Sequence, residues 1–280
     1  MKRFKIRKLF NEKDRKYLPE QHTFLVCAYK ESPYLEQCIK SLLAQTKKSN
    51  IIISTSTPCN YIQEIAKKYN IEVLINIEKK GIAGDWNFGY QQVGTPLVTL
   101  AHQDDIYRKN YLEKVLFQLN HSKKPLIVFT DYGEVRNLKK ESNNMLLKLK
   151  RILLFPLSIQ IFWRSKFVRR RILSFGNSIC CPSVTYVKDN LPQTIFTGEF
   201  ESNLDWQAWE KLSKLKGEFI YCKELLMYHR IHKDSTTSKI IANNKRVEED
   251  YNMFCKFWPR WIAKGINFVY TLSEHSNQLN

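Results

Sequence analysis

No stretch of the 280-residue chain reaches the roughly 18 to 20 consecutive apolar residues that a helix needs to cross a bilayer. The best run, Ile152 to Trp163, is interrupted by Pro156 and flanked by arginines, so a membrane-spanning chain is not expected. The first thirty residues lack the order of a secretory signal, because Lys2, Arg3, Lys5, Arg7 and Lys8 lead into Glu12, Lys13 and Asp14 rather than into an apolar run. A cytoplasmic location is the expectation. The seven cysteines are odd in number and contain no CxxC spacing, which argues against both a zinc site and a disulfide framework. Cys180-Cys181 reads as two small buried residues rather than a redox pair. Acidic residues are scarce: 27 Asp and Glu stand against 45 Lys and Arg, a formal charge of +18. The shortage is local, since Arg136 to Arg171 carries eleven basic residues and Glu141 as its single acid. Such an excess implies an anionic partner, whether nucleic acid, an anionic lipid surface or a nucleotide-sugar. There are no internal repeats and no recognised nucleic-acid-binding motif, so nucleic acid is kept as the rival reading and not as the expected partner.

What is present is a regular alternation. From His22 to Tyr132 short apolar runs alternate with amphipathic stretches, the pattern of β-α-β units in a mostly parallel sheet. Strands are predicted at Thr23 to Ala28, Asn50 to Ser54, Ile71 to Ile77, Pro96 to His102 and Pro125 to Asp131. Ser32-Pro33 reads as an N-cap and first helical residue before Leu35, Ile39, Leu42 and Leu43 at helical spacing. Further helices are predicted near Tyr61 to Tyr69, Ala83 to Val93 and Asn110 to Asn120. After Tyr132 the alternation stops, and a basic stretch with grouped leucines reads as an amphipathic element. Strand-like runs return at Ser178 to Val187, Glu218 to Cys222 and Leu225 to Arg230, with a helix at Trp206 to Leu215. The tail, Asn243 to Thr271, reads as aromatic-rich helices broken at Pro259. The implied organisation is a basic extension over 1–21, a nucleotide-binding half over 22–135, a basic amphipathic insertion over 136–176, an acceptor-binding half over 177–240 and C-terminal helices over 241–280.

In an open parallel sheet, ligands bind beyond the carboxyl ends of the strands. The residues there are polar: Ala28, Tyr29 and Glu31 after the first strand, Ser54, Thr55 and Ser56 after the second, and His102 to Asp105 after the fourth. Asp104 and Asp105 are candidate ligands for a divalent cation that holds a diphosphate, because such cations bind through one or two carboxylates plus substrate phosphates. The competing reading is that they cap the helix that follows.

Three segments in this order resemble family-2 glycosyltransferases: Cys27-Ala28-Tyr29-Lys30-Glu31 at a turn, Ile39 to Thr46 in a helix, and Leu100-Ala101-His102-Gln103-Asp104-Asp105-Ile106 at a metal motif. Gly81-Ile82-Ala83-Gly84-Asp85-Trp86-Asn87-Phe88-Gly89 resembles the family's segment beside the nucleotide base. Asn87 and Gly89 match it, whereas Trp86 replaces an arginine and Asp85 a small residue, which makes Asp85 a candidate reader of the base. His102 stands where the family has the first aspartate of its metal motif, and it is a candidate contact to the donor's ribose or to the metal. Ser54-Thr55-Ser56-Thr57 replaces an acidic turn. Leu204-Asp205-Trp206-Gln207-Ala208-Trp209 resembles the segment that carries the family's general base, so Asp205 is the candidate base, with Trp206 and Trp209 as an apolar wall or sugar-stacking surface beside it. The competing reading of Asp205 is an N-cap. Met227 to Thr237 resembles the segment that closes over the donor, making Arg230 and His232 diphosphate candidates.

The resemblance implies a GT-A fold, an α/β architecture with a Rossmann-like, mostly parallel sheet and a C-terminal helical extension. It implies an inverting hexosyl transfer that depends on Mn2+ or Mg2+. A UDP-sugar is the expected donor, with dTDP-rhamnose as the alternative, and a glycan or lipid-linked glycan of the bacterial cell surface is the expected acceptor. The basic element adds an anionic membrane surface, hence a peripheral position on the inner face of the plasma membrane. A non-catalytic binding protein is the remaining alternative.

Overall fold

The computed structural model describes residues 16–78, 81–232 and 245–278, with side chains to 271 in the last segment. Most of the basic N-terminal extension and the Lys233 to Thr237 part of the donor-closing segment therefore lie outside the described residues, as do the first two residues of the tail.

Strands β1 (His22–Ala28), β2 (Asn50–Thr55), β3 (Glu72–Ile75) and β4 (Leu97–His102) alternate with helices α1 (Leu35–Leu43), α2 (Asn60–Tyr69) and α3 (Gly81–Gln92). β1 runs parallel to both β2 and β4, and β2 to β3. The cores of β1, β2 and β4 are fully buried, among them Leu25, Val26, Ile53, Val98 and Leu100, whereas β3 is a partly exposed edge strand. That burial on both faces explains why the buried strands read as continuous apolar runs rather than as alternating patterns. After β5 (Ile106–Tyr107) and α4 (Tyr111–Asn120), β6 (Pro125–Arg136) carries the short partner β7 (Lys139–Glu141). The insertion follows as α5 (Met145–Leu154), two short 3-10 turns and α6 (Lys166–Leu173). β8 (Val184–Val187), α7 (Leu204–Ser213) and β9 (Glu218–Ile231) complete the sheet, and α8 (Lys245–Cys255) and α9 (Arg260–Gln278) close the chain.

Among the described residues the sheet has nine strands in the order β3-β2-β1-β4-β8-β6-β9-β5, with β7 on β6. Only β5, β7 and β8 run against their neighbours. A buried polar chain pins its centre. The imidazole of His22 lies 2.8 Å from the Thr99 hydroxyl, which lies 2.6 Å from that of Thr185; Tyr111 approaches Thr185 at 3.1 Å and donates to the Ser183 carbonyl at 3.0 Å. These contacts join β1, β4, β8 and α4 and satisfy groups that would be costly to bury alone.

The structure departs from the sequence reading at three elements. The two strands expected near residue 222 are one, β9, because Lys223 and Glu224 are exposed where the register shifts: Thr130 pairs with Cys222 and Asp131 with Leu225. β8 begins at Val184 rather than Ser178, because Cys181–Ser183 turns as a 3-10 helix with Pro182 in it, and proline has no amide hydrogen for a ladder. Ser32 is not the cap of α1, which starts at Leu35 after Tyr34. Pro259 does separate the two C-terminal helices.

Candidate active site

The register of β1, β2 and β4 sets Ala28 beside Thr55 and Cys27 beside His102, so the three polar strand ends meet at one edge. The turn after β1 is held from both sides. Gln103 accepts from the Tyr29 amide at 3.1 Å and donates to the Tyr29 carbonyl at 2.9 Å, while the Lys30 amide donates to the Thr57 hydroxyl at 2.6 Å. Lys30 takes a left-handed conformation with φ 56°. Tyr29 and Glu31 are exposed, whereas Ala28 is buried and contributes backbone. Thr55 is buried too, and its hydroxyl is spent on the Thr57 amide at 3.0 Å.

Asp85, at the start of α3, faces the neighbouring strand end: it accepts from the Ser56 hydroxyl at 2.6 Å and from Asn76 at 2.7 Å. Next to it the Trp86 ring stacks on His102 with centroids 5.1 Å apart and meets Phe196 edge-on at 4.9 Å. Burial lowers the His102 pKa, against the opposing pull of Asp105, so the imidazole is neutral near pH 7. Its Nε2 is buried without a hydrogen-bond partner among the described residues. Asn87, a candidate donor contact, bonds to a neighbouring loop. It donates to the Phe196 carbonyl at 2.6 Å and accepts from the Ile195 and Phe196 amides at 3.0 and 3.1 Å, which clamps that loop against Trp86.

The adjacent aspartates have opposite surroundings. Asp104 is partly exposed; one oxygen accepts from the Ser32 hydroxyl at 2.6 Å, and the other lies 3.0 Å from Nε2 of His232, whose side chain is equally accessible. The Ser32 hydroxyl also accepts from the Tyr34 amide at 3.3 Å, so it ties the carboxylate to the start of α1. Asp105, the other candidate metal ligand, is fully buried, and its second oxygen has no hydrogen-bond partner among the described residues. One of its oxygens accepts from the Arg230 amide at 2.9 Å and meets His229 Nδ1 at 3.0 Å, fixing the end of β9. Burial opposes protonation of His229, but the Asp105 carboxylate outweighs it and the pKa is raised. Arg230 is also buried: its guanidinium donates to the Asp104 carbonyl at 2.9 Å and to Gln37 at 2.6 Å, and it lies over the Tyr34 ring at 4.1 Å. All of these contacts hold Arg230 against the protein, and the one to the Asp104 carbonyl braces that residue's backbone.

Asp205 lies one residue inside α7, whose N-cap is Asn203, so the capping reading does not hold. Its oxygens accept from the Trp206 amide and from Asn177, each at 2.8 Å. Burial pushes its pKa up; those two hydrogen bonds, and then the charge of Lys150, pull against that. Trp206 and Trp209 are completely buried in the core and offer no stacking surface. Burial raises the Cys180 pKa, and the charges of Asp105 and then Asp205 raise it further while Lys150 opposes. The Lys150 ammonium donates to the Tyr132 hydroxyl at 2.8 Å.

Sequence reasoning missed Ser32, Gln37, Gln103, Asn177 and Lys150. The position of Gln103 between His102 and Asp104 was a usable signal; the others carry none in the chain itself. The groups able to hold a divalent cation are the Asp104 carboxylate and the His232 imidazole, an oxygen and a nitrogen donor side by side with access to the cleft. Two such donors fit a cation that completes its shell with substrate phosphates and water. No cluster of three or more His, Cys, Asp or Glu side chains arranged for a metal occurs among the described residues.

The sequence matches glycosyl transferase family 2 over residues 23–191. An uncharacterised glycosyltransferase of Rickettsia typhi is 23% identical over 237 residues, covering 84% of this chain and 71% of the relative. One of Haemophilus influenzae is 22% identical over 228 residues, covering 76% and 66%. Among solved structures, residues 1–349 of TarS from S. aureus in complex with UDP-GlcNAc superpose with a TM-score of 0.59 at 14% identity, over 88% of this chain and 70% of that one. A mannosyltransferase from Pyrobaculum calidifontis in complex with GDP-Man and Mn2+ also gives 0.59 at 14% identity, over 87% and 65%. The fold is thus that of the GT-A glycosyltransferases, and with more than half its length matched, the chain belongs to glycosyl transferase family 2.

Proposed function

We propose that this transferase moves a hexose from a nucleoside-diphosphate donor to a hydroxyl of a glycan or lipid-linked glycan, with inversion and with Mn2+ or Mg2+ bound to the donor diphosphate. The observation that carries this reading is the Asp104-His232 pair, accessible and braced by Ser32 and Arg230 at the end of β4. Asp104 and His232 would hold the cation. When bound, it neutralises the diphosphate and stabilises the charge that grows on the leaving group.

The chain's own residues account for the remainder. Asp85, fixed by Ser56 and Asn76, reads the base, and Tyr29 and Glu31 flank it. A UDP-sugar is the favoured donor, in keeping with the UDP-GlcNAc held by the TarS structure, and dTDP-rhamnose is the alternative. Asp205 takes the proton of the acceptor hydroxyl as the oxygen attacks the anomeric carbon, while the electron pair of the breaking bond leaves with the nucleoside diphosphate. Asn177 and the Trp206 amide hold the carboxylate in place for that transfer. The acceptor-side role belongs to assembly of a cell-surface polysaccharide at the inner face of the plasma membrane, where an anionic lipid surface complements the charge of +18.

Donor binding by calorimetry and nucleotide release, each with Mn2+, Mg2+ or chelator, test this directly. Metal should strengthen UDP-sugar binding in the native protein, and Asp104→Ala should abolish that dependence together with turnover. Equal donor affinity with and without metal in both proteins would overturn the reading.

A further inference from the structure

The eleven-residue basic cluster read from the sequence does not face outward as a unit. Arg151 is paired with Asp131 at 2.8 Å and Arg170 with Glu210 at 2.5 Å, and Arg169 is buried with its guanidinium on the Leu215 and Gly217 carbonyls. Lys150 turns in to Tyr132. Much of what the insertion shows to solvent is apolar, with Lys148, Arg164 and Lys166 beside it. Nine of the nineteen exposed large apolar side chains among the described residues fall between Met145 and Phe175. On α5, Met145, Leu149 and Ile152 follow each other at i, i+4 and i+7, and are 83, 49 and 68% exposed; Phe155, Ile161 and Phe167 continue outward at 63, 78 and 70%. Leu147, Leu154, Leu157 and Trp163 point the other way and are buried.

A run of this size is unusual on a protein surface and marks a contact. Its occupant is indicated by charge. No aspartate or glutamate occurs between Glu141 and Asp189, and Lys148 and Lys166 are exposed among the apolar side chains. An apolar face with cations beside it fits the boundary between anionic headgroups and acyl chains. The opposite side of α5 carries Lys150, which reaches Tyr132 and lowers the cost of a charge on Asp205, so one helix links this surface to the acceptor side of the cleft.

We propose that α5 and the turns after it, residues 145–167, form an interfacial anchor that inserts the outer apolar side chains into an anionic bilayer, with the cations as a secondary attraction. This rests on the reading that the acceptor is lipid-linked, and it differs from a purely electrostatic attachment through the arginines.

Co-sedimentation with vesicles of phosphatidylcholine and phosphatidylglycerol separates the possibilities. The native chain should bind at low salt and retain a substantial bound fraction at about 1 M salt, where charges are screened beyond about 3 Å. The combined Leu149→Ser, Ile152→Ser and Phe155→Ser variant should lose at least roughly 30-fold in partition, from the apolar area no longer buried. Its thermal midpoint and donor affinity should be unchanged, because these side chains support neither the core nor the site. Lys148→Gln with Lys166→Gln should lose only a few-fold, all of it at low salt. If the serine variant binds as well as the native chain, the anchor is wrong and membrane attachment lies elsewhere. If the native chain fails to bind at low salt, the membrane reading falls with it. If the serine substitutions convert a dimer into a monomer in solution and vesicle binding is absent, the face joins two copies and the proposal is overturned.

Discussion

Asp104 and Asp205, the proposed cation ligand and the proposed base, stand in different surroundings. Asp104 is open and shared between a hydroxyl and an imidazole, which suits a charge that meets a cation. Asp205 is held by an amide and a backbone N–H in a drier place, which raises its affinity for a proton. The proposed base must be ionised to accept a proton, so on that proposal transfer should fail as pH falls through the raised pKa of Asp205. The acid limb of kcat/KM is therefore expected above the ordinary aspartate value of 3.8. Asp205→Asn keeps the shape but cannot take the proton; single-turnover transfer should drop by about 100-fold to 10,000-fold while donor affinity and thermal midpoint hold. Near-native transfer would move the base elsewhere. That Asp104, Asp205 and His232 stand at a strand or helix end was legible in the sequence, because the chain's periodicity breaks there. The partners of Arg230, Asn87 and Asp105 were not legible, because they lie more than a hundred residues away in the chain, such as Phe196 for Asn87.

At the scale of elements, the position of Asp205 depends on how α7 begins. Asn203 is its N-cap, but no side-chain oxygen of Asn203 serves the first turn. Glu249 of α8 supplies the acceptor from outside, taking the Glu201, Ser202 and Asn203 amides at 2.8, 2.8 and 3.2 Å. Burial disfavours the Glu249 charge, yet those amides and the Ser202 hydroxyl prevail and its pKa is lowered. Its contribution is thus complete above the ordinary glutamate value of 4.5 and is lost as pH falls through the lowered one. Glu249→Gln should cost about 1–3 kcal/mol in unfolding free energy by leaving buried amides poorly served, and should slow transfer by loosening the turn that leads to Asp205. Calorimetric unfolding of the variant checks the first, steady-state kinetics the second. The α/β alternation up to β6 was readable because each strand is a short apolar run between amphipathic helices. β9 was not read as a single strand, since Lys223 and Glu224 are exposed at its register shift and look like a turn. The amphipathic character of the insertion was also readable. Which of its cations are exposed was not, because Asp131 and Glu210, which pair Arg151 and Arg170, lie outside it in the chain.

For the molecule as a whole, the two faces of α5 bring a consequence of dimensionality. A catalyst that rests on a bilayer by the outer face of this helix and reaches its cleft through the inner one meets a lipid-borne acceptor by diffusion in a plane. Confinement of both partners raises their effective concentration without any new contact. Turnover should then follow the mole fraction of acceptor within the lipid rather than its amount per volume of suspension. Diluting the acceptor with inert phospholipid at constant bulk concentration should lower the rate in proportion, whereas adding more vesicles of the same composition should leave it nearly unchanged once the protein is bound. A rate that tracks bulk concentration in both series would mean that the acceptor reaches Asp205 from solution.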